Sequence, residues 1–269
     1  MPSPRPIDVD ALVHTKEKVY FALCVIVALL IYYILARIIL SDSPLGATIL
    51  FYAIVIVIAY FVFHGIMLGR IRGNGIRVSE RQFPELMAMA DDHARRLGMP
   101  ATPDVFVLQS GGVLNAFATR FLGRNFVILY SDVLALATQK GEKAVSFVLG
   151  HELAHVRRKH MTWRALLYPA MAFPFLGSAY SRACEYTCDT VGNALEPEGS
   201  VDGLLVLAAG RELYNRVNVA EYANQRSTET GFFVRLAEIV STHPNLSKRV
   251  AALDAQRPRE VAAPAHSAA

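Results

Sequence analysis

Lys143-Ala144-Val145-Ser146-Phe147-Val148-Leu149-Gly150-His151-Glu152-Leu153-Ala154-His155-Val156 is the stretch that decides what kind of domain this chain builds. It belongs to a helical pattern running from Lys143 to His160. Val145, Phe147, Val148, Leu149, Leu153 and Val156 make that pattern apolar around much of its circumference, as in a helix buried within a core. His151 and His155, four residues apart, then stand on one face a single turn apart. That spacing lets two imidazoles share a tetrahedral ion at about 2.0–2.1 Å from each nitrogen. Glu152 lies beside such an ion rather than on it, placed to take a proton from water. The competing reading makes Glu152, His155, Arg157, Arg158, Lys159 and His160 an ordinary solvated helix end. A buried His-Glu-His cluster, by contrast, calls for a partner such as a metal.

A reactive tetrahedral site takes a third protein ligand and leaves one position open. The candidate is Glu185, on a later helical stretch Arg182-Ala183-Cys184-Glu185-Tyr186-Thr187-Cys188-Asp189. Asp189, one turn on, can accept the spare N–H of a ligating histidine and so fix its ring. Cys184 and Cys188 admit a second reading as a Cys-x-x-x-Cys metal pair. A site closed by two thiolates would lose its reactive water, and small core residues are the alternative.

The chain has 269 residues, 53% of them hydrophobic and 19% charged, and the apolar bias concentrates before residue 70. Val19 to Ala36 carries no charge and runs on to Leu40, and Leu45 to Gly69 has His64 as its only ionisable side chain. Each is long enough to cross a bilayer, which takes about 20 residues. Asp8, Asp10 and Glu17 ahead of the first stretch argue for an anchor rather than a cleaved signal peptide. Arg5, Lys16 and Lys18 precede the hairpin and Arg70, Arg72, Arg77 and Arg81 follow it, whereas the turn Ser41-Asp42-Ser43-Pro44 has no Lys or Arg. The positive-inside rule then puts both ends, and the remaining domain, in the cytoplasm of a multi-pass protein of the cell membrane. Three cysteines without framework spacing agree with a reducing compartment. A net charge of +4 with no unbroken basic run sets nucleic acid aside as a partner.

Beyond a break at Gly73-Asn74-Gly75, helical periodicity runs from Ser79 to Leu97. Short β-like runs follow at Asp104–Leu108, Leu114–Thr119 and Phe126–Tyr130, separated by Gly111-Gly112 and Gly123-Arg124-Asn125, and predict a small, mostly antiparallel sheet. Pro169 and Pro174 break an apolar segment from 165 to 180 that reads as interfacial or re-entrant, and further helices are expected at 202–213 and 247–255. The fold class is α+β. Residues 1–18 form a cytoplasmic segment, 19–70 a transmembrane hairpin with spans 19–40 and 45–69, 79–256 the mainly helical domain, and 257–269 a disordered tail.

Taken together, the hairpin, Asn115-Ala116-Phe117-Ala118, His151-Glu152-Leu153-Ala154-His155, Glu185 with Asp189, and Ser241-Thr242-His243-Pro244 followed by Arg249 resemble the HtpX-like membrane metallopeptidases, relatives of the CAAX prenyl-protein proteases. The resemblance spans about residues 79 to 255. It implies a gluzincin fold, one Zn2+ per chain held by His151, His155 and Glu185, and Glu152 as general base and acid. It also implies an edge strand in which Asn115, Ala116 and Phe117 bind substrate backbone beside the cleft. His243 and Arg249 match the late His-Pro…Arg element, with an expected role in stabilising the oxyanion or gating the open coordination position. The alternative for these two is a loop histidine and a helix-surface arginine. HtpX-type proteins carry two further spans between the zinc helix and the third-ligand helix. Here 29 residues separate His155 from Glu185, too few for two spans of about 20, so this chain resembles a shortened form. The implied activity is zinc-dependent endoproteolysis of membrane-associated or misfolded proteins at the bilayer. The competing expectation is a membrane-anchored assembly module that keeps its zinc and no longer cleaves.

Overall fold

The computed structural model describes residues 5–41, 43–109, 116–135, 141–173 and 175–257. Gly111, Gly112, Leu114, Asn115, Pro174 and the tail from residue 258 lie outside the described residues. Two helices open the fold, α1 (Thr15–Ile39) and α2 (Pro44–Asn74), each long and apolar enough to cross a membrane. His14 Nδ1 accepts the Lys16 N–H at the start of α1, and Ser43 Oγ accepts the Gly46 N–H at the start of α2. Both helices outrun the expected spans. In particular, Gly73 and Asn74 do not break α2, which ends only where the Gly75 N–H bonds Ile71 O at 2.7 Å. A helical glycine costs about 1 kcal/mol, and the docking of Leu68 and Ile71 against the sheet holds this last stretch in place.

The sheet comprises β1 (Ile76–Arg77), β2 (Asp104–Leu108), β3 (Ala116–Phe121) and β4 (Arg124–Tyr130), with α3 (Pro84–Arg96) between β1 and β2. The expected helix from Ser79 starts late because Ser79 pairs with Gln82 and Phe83 adopts φ 61°, so Pro84 becomes the first helical residue. Strand order is β1-β2-β4-β3, and β2 pairs with β4 in parallel, Val105 opposite Val127, while the other two pairings are antiparallel. The sheet is therefore mostly antiparallel, as expected, with one parallel pairing that makes it mixed. The reason lies in β4, which is apolar on both faces. Val127 and Leu129 enter the main core together with Val105 and Val107, whereas Phe126 and Ile128 join Phe106 under Leu68 and Ile71 of α2. A strand covered on both sides belongs at the centre. β3, carrying Thr119 and Arg120, takes the edge, and β1 is too short to show a period.

After α4 (Ser131–Leu134) come α5 (Glu142–Arg157), α6 (His160–Leu166), α7 (Tyr168–Met171), α8 (Leu176–Leu195) and α9 (Ser200–Ala209). The chain closes with α10 (Val219–Thr228), α11 (Phe232–Val240) and α12 (Leu246–Asp254). The continuous helix expected over 143–160 is split by Lys159 at φ 57° and ψ 33°, a left-handed turn that costs a non-glycine residue about 1–2 kcal/mol. Gly210 at φ 79° ends α9 short of the expected 213. The 165–180 segment becomes the end of α6, α7 and the start of α8, with Ala170 buried against α1 beside Cys24 and Ala28. Leu166, Tyr168, Phe173 and Phe175 remain exposed.

Helices α5 and α8 pack closely, and two glycines permit it. A Cβ on Gly150 would stand 2.9 Å from Leu195 Cδ1, and one on Gly192 would stand 2.9 Å from Phe147 Cε2. The Phe147 ring is wedged from its other side by Gly203 of α9, where a Cβ would meet Cδ1 at 2.5 Å. These contacts set the separation across which α5 and α8 present their polar residues to each other.

Candidate metal centre

Within this apolar surrounding α5 buries His151 and Glu152, α8 buries Glu185 and Asp189, and α12 buries Arg249. His155 is partly buried. The three expected ligands meet. His151 Nε2 and His155 Nε2 are 3.3 Å apart, His151 Nε2 is 3.4 Å from Glu185 Oε2, and His155 Nε2 is 3.4 Å from Glu185 Oε1. A regular tetrahedron with arms of about 2.0–2.1 Å has edges of about 3.3–3.4 Å, so each donor pair has the edge length of a zinc site, with the two carboxylate oxygens of Glu185 each facing one histidine. Glu152 follows His151 directly in the chain, and the only other short-range metal groupings among the described residues both run through His160.

Asp189 sits where the sequence puts it, one turn beyond Glu185. Its Oδ1 lies 3.0 Å from His151 Nδ1, so the histidine donates there and presents Nε2 to the ligand set. Arg249 donates from Nε to Asp189 Oδ2 at 2.7 Å and from Nη2 to Oδ1 at 2.6 Å, while its Nη1 lies 3.2 Å from Glu185 Oε2. One guanidinium thus holds both Glu185, the expected third ligand, and Asp189, which bonds His151. His243 Nε2 is 3.5 Å from Glu185 Oε1, but its side chain is 62% exposed, in contrast to the rest of the cluster.

The electrostatics agree with a site built for a cation. Burial disfavours charge on His151, yet the Asp189 and Glu185 carboxylates reverse this and push it up to about 10 when a proton stands in for a metal. Burial likewise opposes the charges of Glu185 and Asp189, but Arg249 and the histidines hold Glu185 well below the usual carboxylate range and Asp189 below it. Cys184 and Cys188 do not behave as ligands of this site. Both are buried, and neither belongs to the grouping of His151, His155 and Glu185; each falls in a grouping with His160 instead.

Of the expected substrate-binding residues, Ala116 and Phe117 begin the edge strand β3, against which α5 packs. Asn115 lies outside the described residues. Glu17 and His160 were not singled out from the sequence, yet both are buried behind His155. His160 Nδ1 is 2.9 Å from His155 Nδ1, and His160 Nε2 is 3.3 Å from Glu17 Oε1. A signal existed for Glu17, an acid at the border of a long uncharged apolar run, where an ionised group is costly unless it has a partner. His160 gave none, because only the turn at Lys159 brings it round.

The sequence model of peptidase family M48 matches residues 80–176 and 165–257, a region that contains both helices of the metal centre and Arg249. No solved structure matches the chain. Together these two matched segments cover more than half of the sequence, and the chain belongs to peptidase family M48, a family of metallopeptidases.

Proposed function

We propose that this protein is a membrane-anchored zinc endopeptidase of the HtpX-like kind, cleaving membrane-associated or misfolded proteins in quality control at the cytoplasmic face of the cell membrane. The observation that carries the reading is the set of three donors, His151, His155 and Glu185, spaced for one tetrahedral ion next to Glu152. A zinc ion held there supplies Lewis acidity, polarising the scissile carbonyl and lowering the pKa of water toward about 7. Glu152 takes the proton from the attacking water and returns it to the departing amine. Asp189 keeps His151 in the tautomer that offers Nε2. Arg249, its guanidinium committed to Asp189 and Glu185, acts by positioning these carboxylates rather than by meeting an oxyanion. His243, exposed and within 3.5 Å of Glu185, is the residue free to approach the reacting carbonyl. An extended peptide pairs along β3 at Ala116 and Phe117, with Asn115 as the further residue assigned to substrate binding.

Placement at the bilayer rests on the exposed apolar flanks of α1 and α2, such as Leu29, Ile34, Phe51, Val57 and Phe63. Leu166, Tyr168, Phe173 and Phe175 extend this apolar surface to the interfacial segment 165–180.

The test is Glu152→Gln in the full chain, purified in detergent and given an unfolded membrane protein as substrate. The variant should keep its zinc, measured by elemental analysis, and lose about 10²–10⁴ in cleavage rate. A variant that cleaves as fast as the wild type refutes the mechanism.

A further inference from the structure

We propose that His160 and Glu17 are positioning residues for the zinc centre, forming a relay that fixes the ring of His155 from behind and ties it to the first helix. This inference rests on the reading of His151, His155 and Glu185 as the metal ligands. The proton positions follow from the geometry. His155 offers Nε2 to the ligand set, 3.3 Å from His151 Nε2 and 3.4 Å from Glu185 Oε1, so Nδ1 carries its proton. That N–H points at His160 Nδ1, 2.9 Å away, which must then accept. His160 therefore carries its own proton on Nε2 and donates it to Glu17 Oε1 at 3.3 Å. Arg158 Nη2 donates to the same Glu17 oxygen at 3.0 Å, so a cation backs the terminal carboxylate.

The two ligand histidines are thus supported in parallel ways. His151 donates directly to a carboxylate, Asp189, backed by Arg249. His155 donates to a carboxylate through one inserted imidazole, backed by Arg158. The chain makes a special provision for the insertion. On an uninterrupted helix residue 160 would lie about 140° round from residue 155, too far for their rings to meet. Lys159, at φ 57°, turns the chain so that the His155 and His160 rings stand 5.0 Å apart, edge to face. Glu17 belongs to the first turn of α1, the only part of that helix to send a charged group into the metal domain's interior. The relay consequently makes the metal centre sensitive to how α1 is seated.

His160 also belongs to two possible metal groupings, one with His155 and Cys188 and one with Glu17 and Cys184. Ligation of a second ion at His155 Nδ1 would remove the proton on which the relay depends. The two uses of His160 exclude each other.

The experiment uses the full chain in detergent, stripped with a chelator and titrated with zinc against a chromophoric competitor. His160→Ala should lower zinc affinity by about 10–100-fold, the usual effect of removing a group that orients a ligand. Glu17→Gln should lower it less, and His160→Gln, whose amide can both accept and donate, should recover part of the His160→Ala loss. The cobalt-substituted His160→Ala protein should show an altered visible spectrum. Thermal melts of the metal-free forms separate folding from ligation. If His160→Ala, His160→Gln and Glu17→Gln all bind zinc as tightly as wild type and only melt earlier, the residues merely pack and the relay is overturned. Two zinc ions per wild-type chain, falling to one in a Cys184→Ser, Cys188→Ser variant, also overturn it. His155→Ala distinguishes the parent reading: if it binds zinc like wild type, the ligand assignment itself fails, whereas loss in His155→Ala without loss in the relay variants removes the relay alone.

Discussion

Replacing Gly192 by Ala tests whether the approach of α5 and α8 sets the metal geometry. The new methyl carbon would stand 2.9 Å from Phe147 Cε2, 3.1 Å from Cδ2 and 3.3 Å from the Phe147 carbonyl oxygen. Comfortable carbon contacts begin at about 3.5 Å, so ring and methyl must separate by about 0.6 Å. The ring cannot yield, because Gly203 leaves it no room on the other side, and the strain passes to the helices. Overpacking of this kind costs about 1–3 kcal/mol, against which the helix gains about 1 kcal/mol from losing a glycine. The expected net effect is a destabilisation between about zero and 2 kcal/mol. In a Phe147→Leu background the 2.9 Å ring contact is gone and the backbone carbonyl at 3.3 Å remains, so Gly192→Ala should become stabilising by up to about 1 kcal/mol. The sign reversal is the diagnostic, a coupling of about 1–3 kcal/mol measured by denaturant unfolding of all four proteins. Zinc affinity should fall in Gly192→Ala as well, since a shift of about 0.6 Å exceeds the tolerance of about 0.2 Å on ligand distances. If Gly192→Ala stabilises the wild-type and Phe147→Leu backgrounds equally, the contact does not hold the helices and the reasoning is wrong.

His93 is buried on α3 with Nε2 3.1 Å from the Ser146 carbonyl oxygen, and burial lowers its pKa below the ordinary 6.5. The folded state therefore binds its proton less readily than the unfolded chain, so this stabilisation is complete above pH 6.5 and is lost as pH falls below it. His93→Gln should flatten the acid side of the stability profile, and unchanged acid sensitivity would contradict this. Arg249→Met should destabilise the metal-free protein by about 3–5 kcal/mol by leaving Asp189 and Glu185 without their buried cation, as read from urea unfolding. Arg249→Lys should fall between, because an ammonium lacks the two-pronged geometry. A loss under about 1 kcal/mol in Arg249→Met would show that the guanidinium is not what these carboxylates depend on.

The candidate metal centre is legible where its logic is local. His151 and His155 meet because four residues make one helical turn, and Asp189 stands behind Glu185 by the same spacing. The apolar runs of α1, α2 and β4 are equally plain, since composition and length are properties of a single segment. What escaped depends on partners far apart in the chain. The parallel register of β2 on β4 is decided by which strand is covered on both faces, and the strand patterns alone favoured hairpins. The contact of His160 with Glu17 joins residues near opposite ends of the first 160, through a left-handed turn at a lysine that no propensity rule would place there. The sequence reading places no helix at α10 or α11; neither buries a residue, although α11, Phe232–Val240, carries a pronounced apolar face. The role expected of Arg249 changed for a similar reason, since its position on α12 said nothing about which carboxylates it would reach.

The dependence of Glu185 and Asp189 on Arg249 also bears on when the chain becomes competent during its synthesis. All three ligands have been added once residue 185 is made, yet the cation that sets two of the carboxylates follows about 60 residues later, roughly 3–12 s at ordinary elongation rates. On the proposed reading, the growing polypeptide during that interval holds Glu185 and Asp189 without their counter-charge, and the candidate metal centre stays incomplete while the chain's own unfolded segments are the nearest substrate.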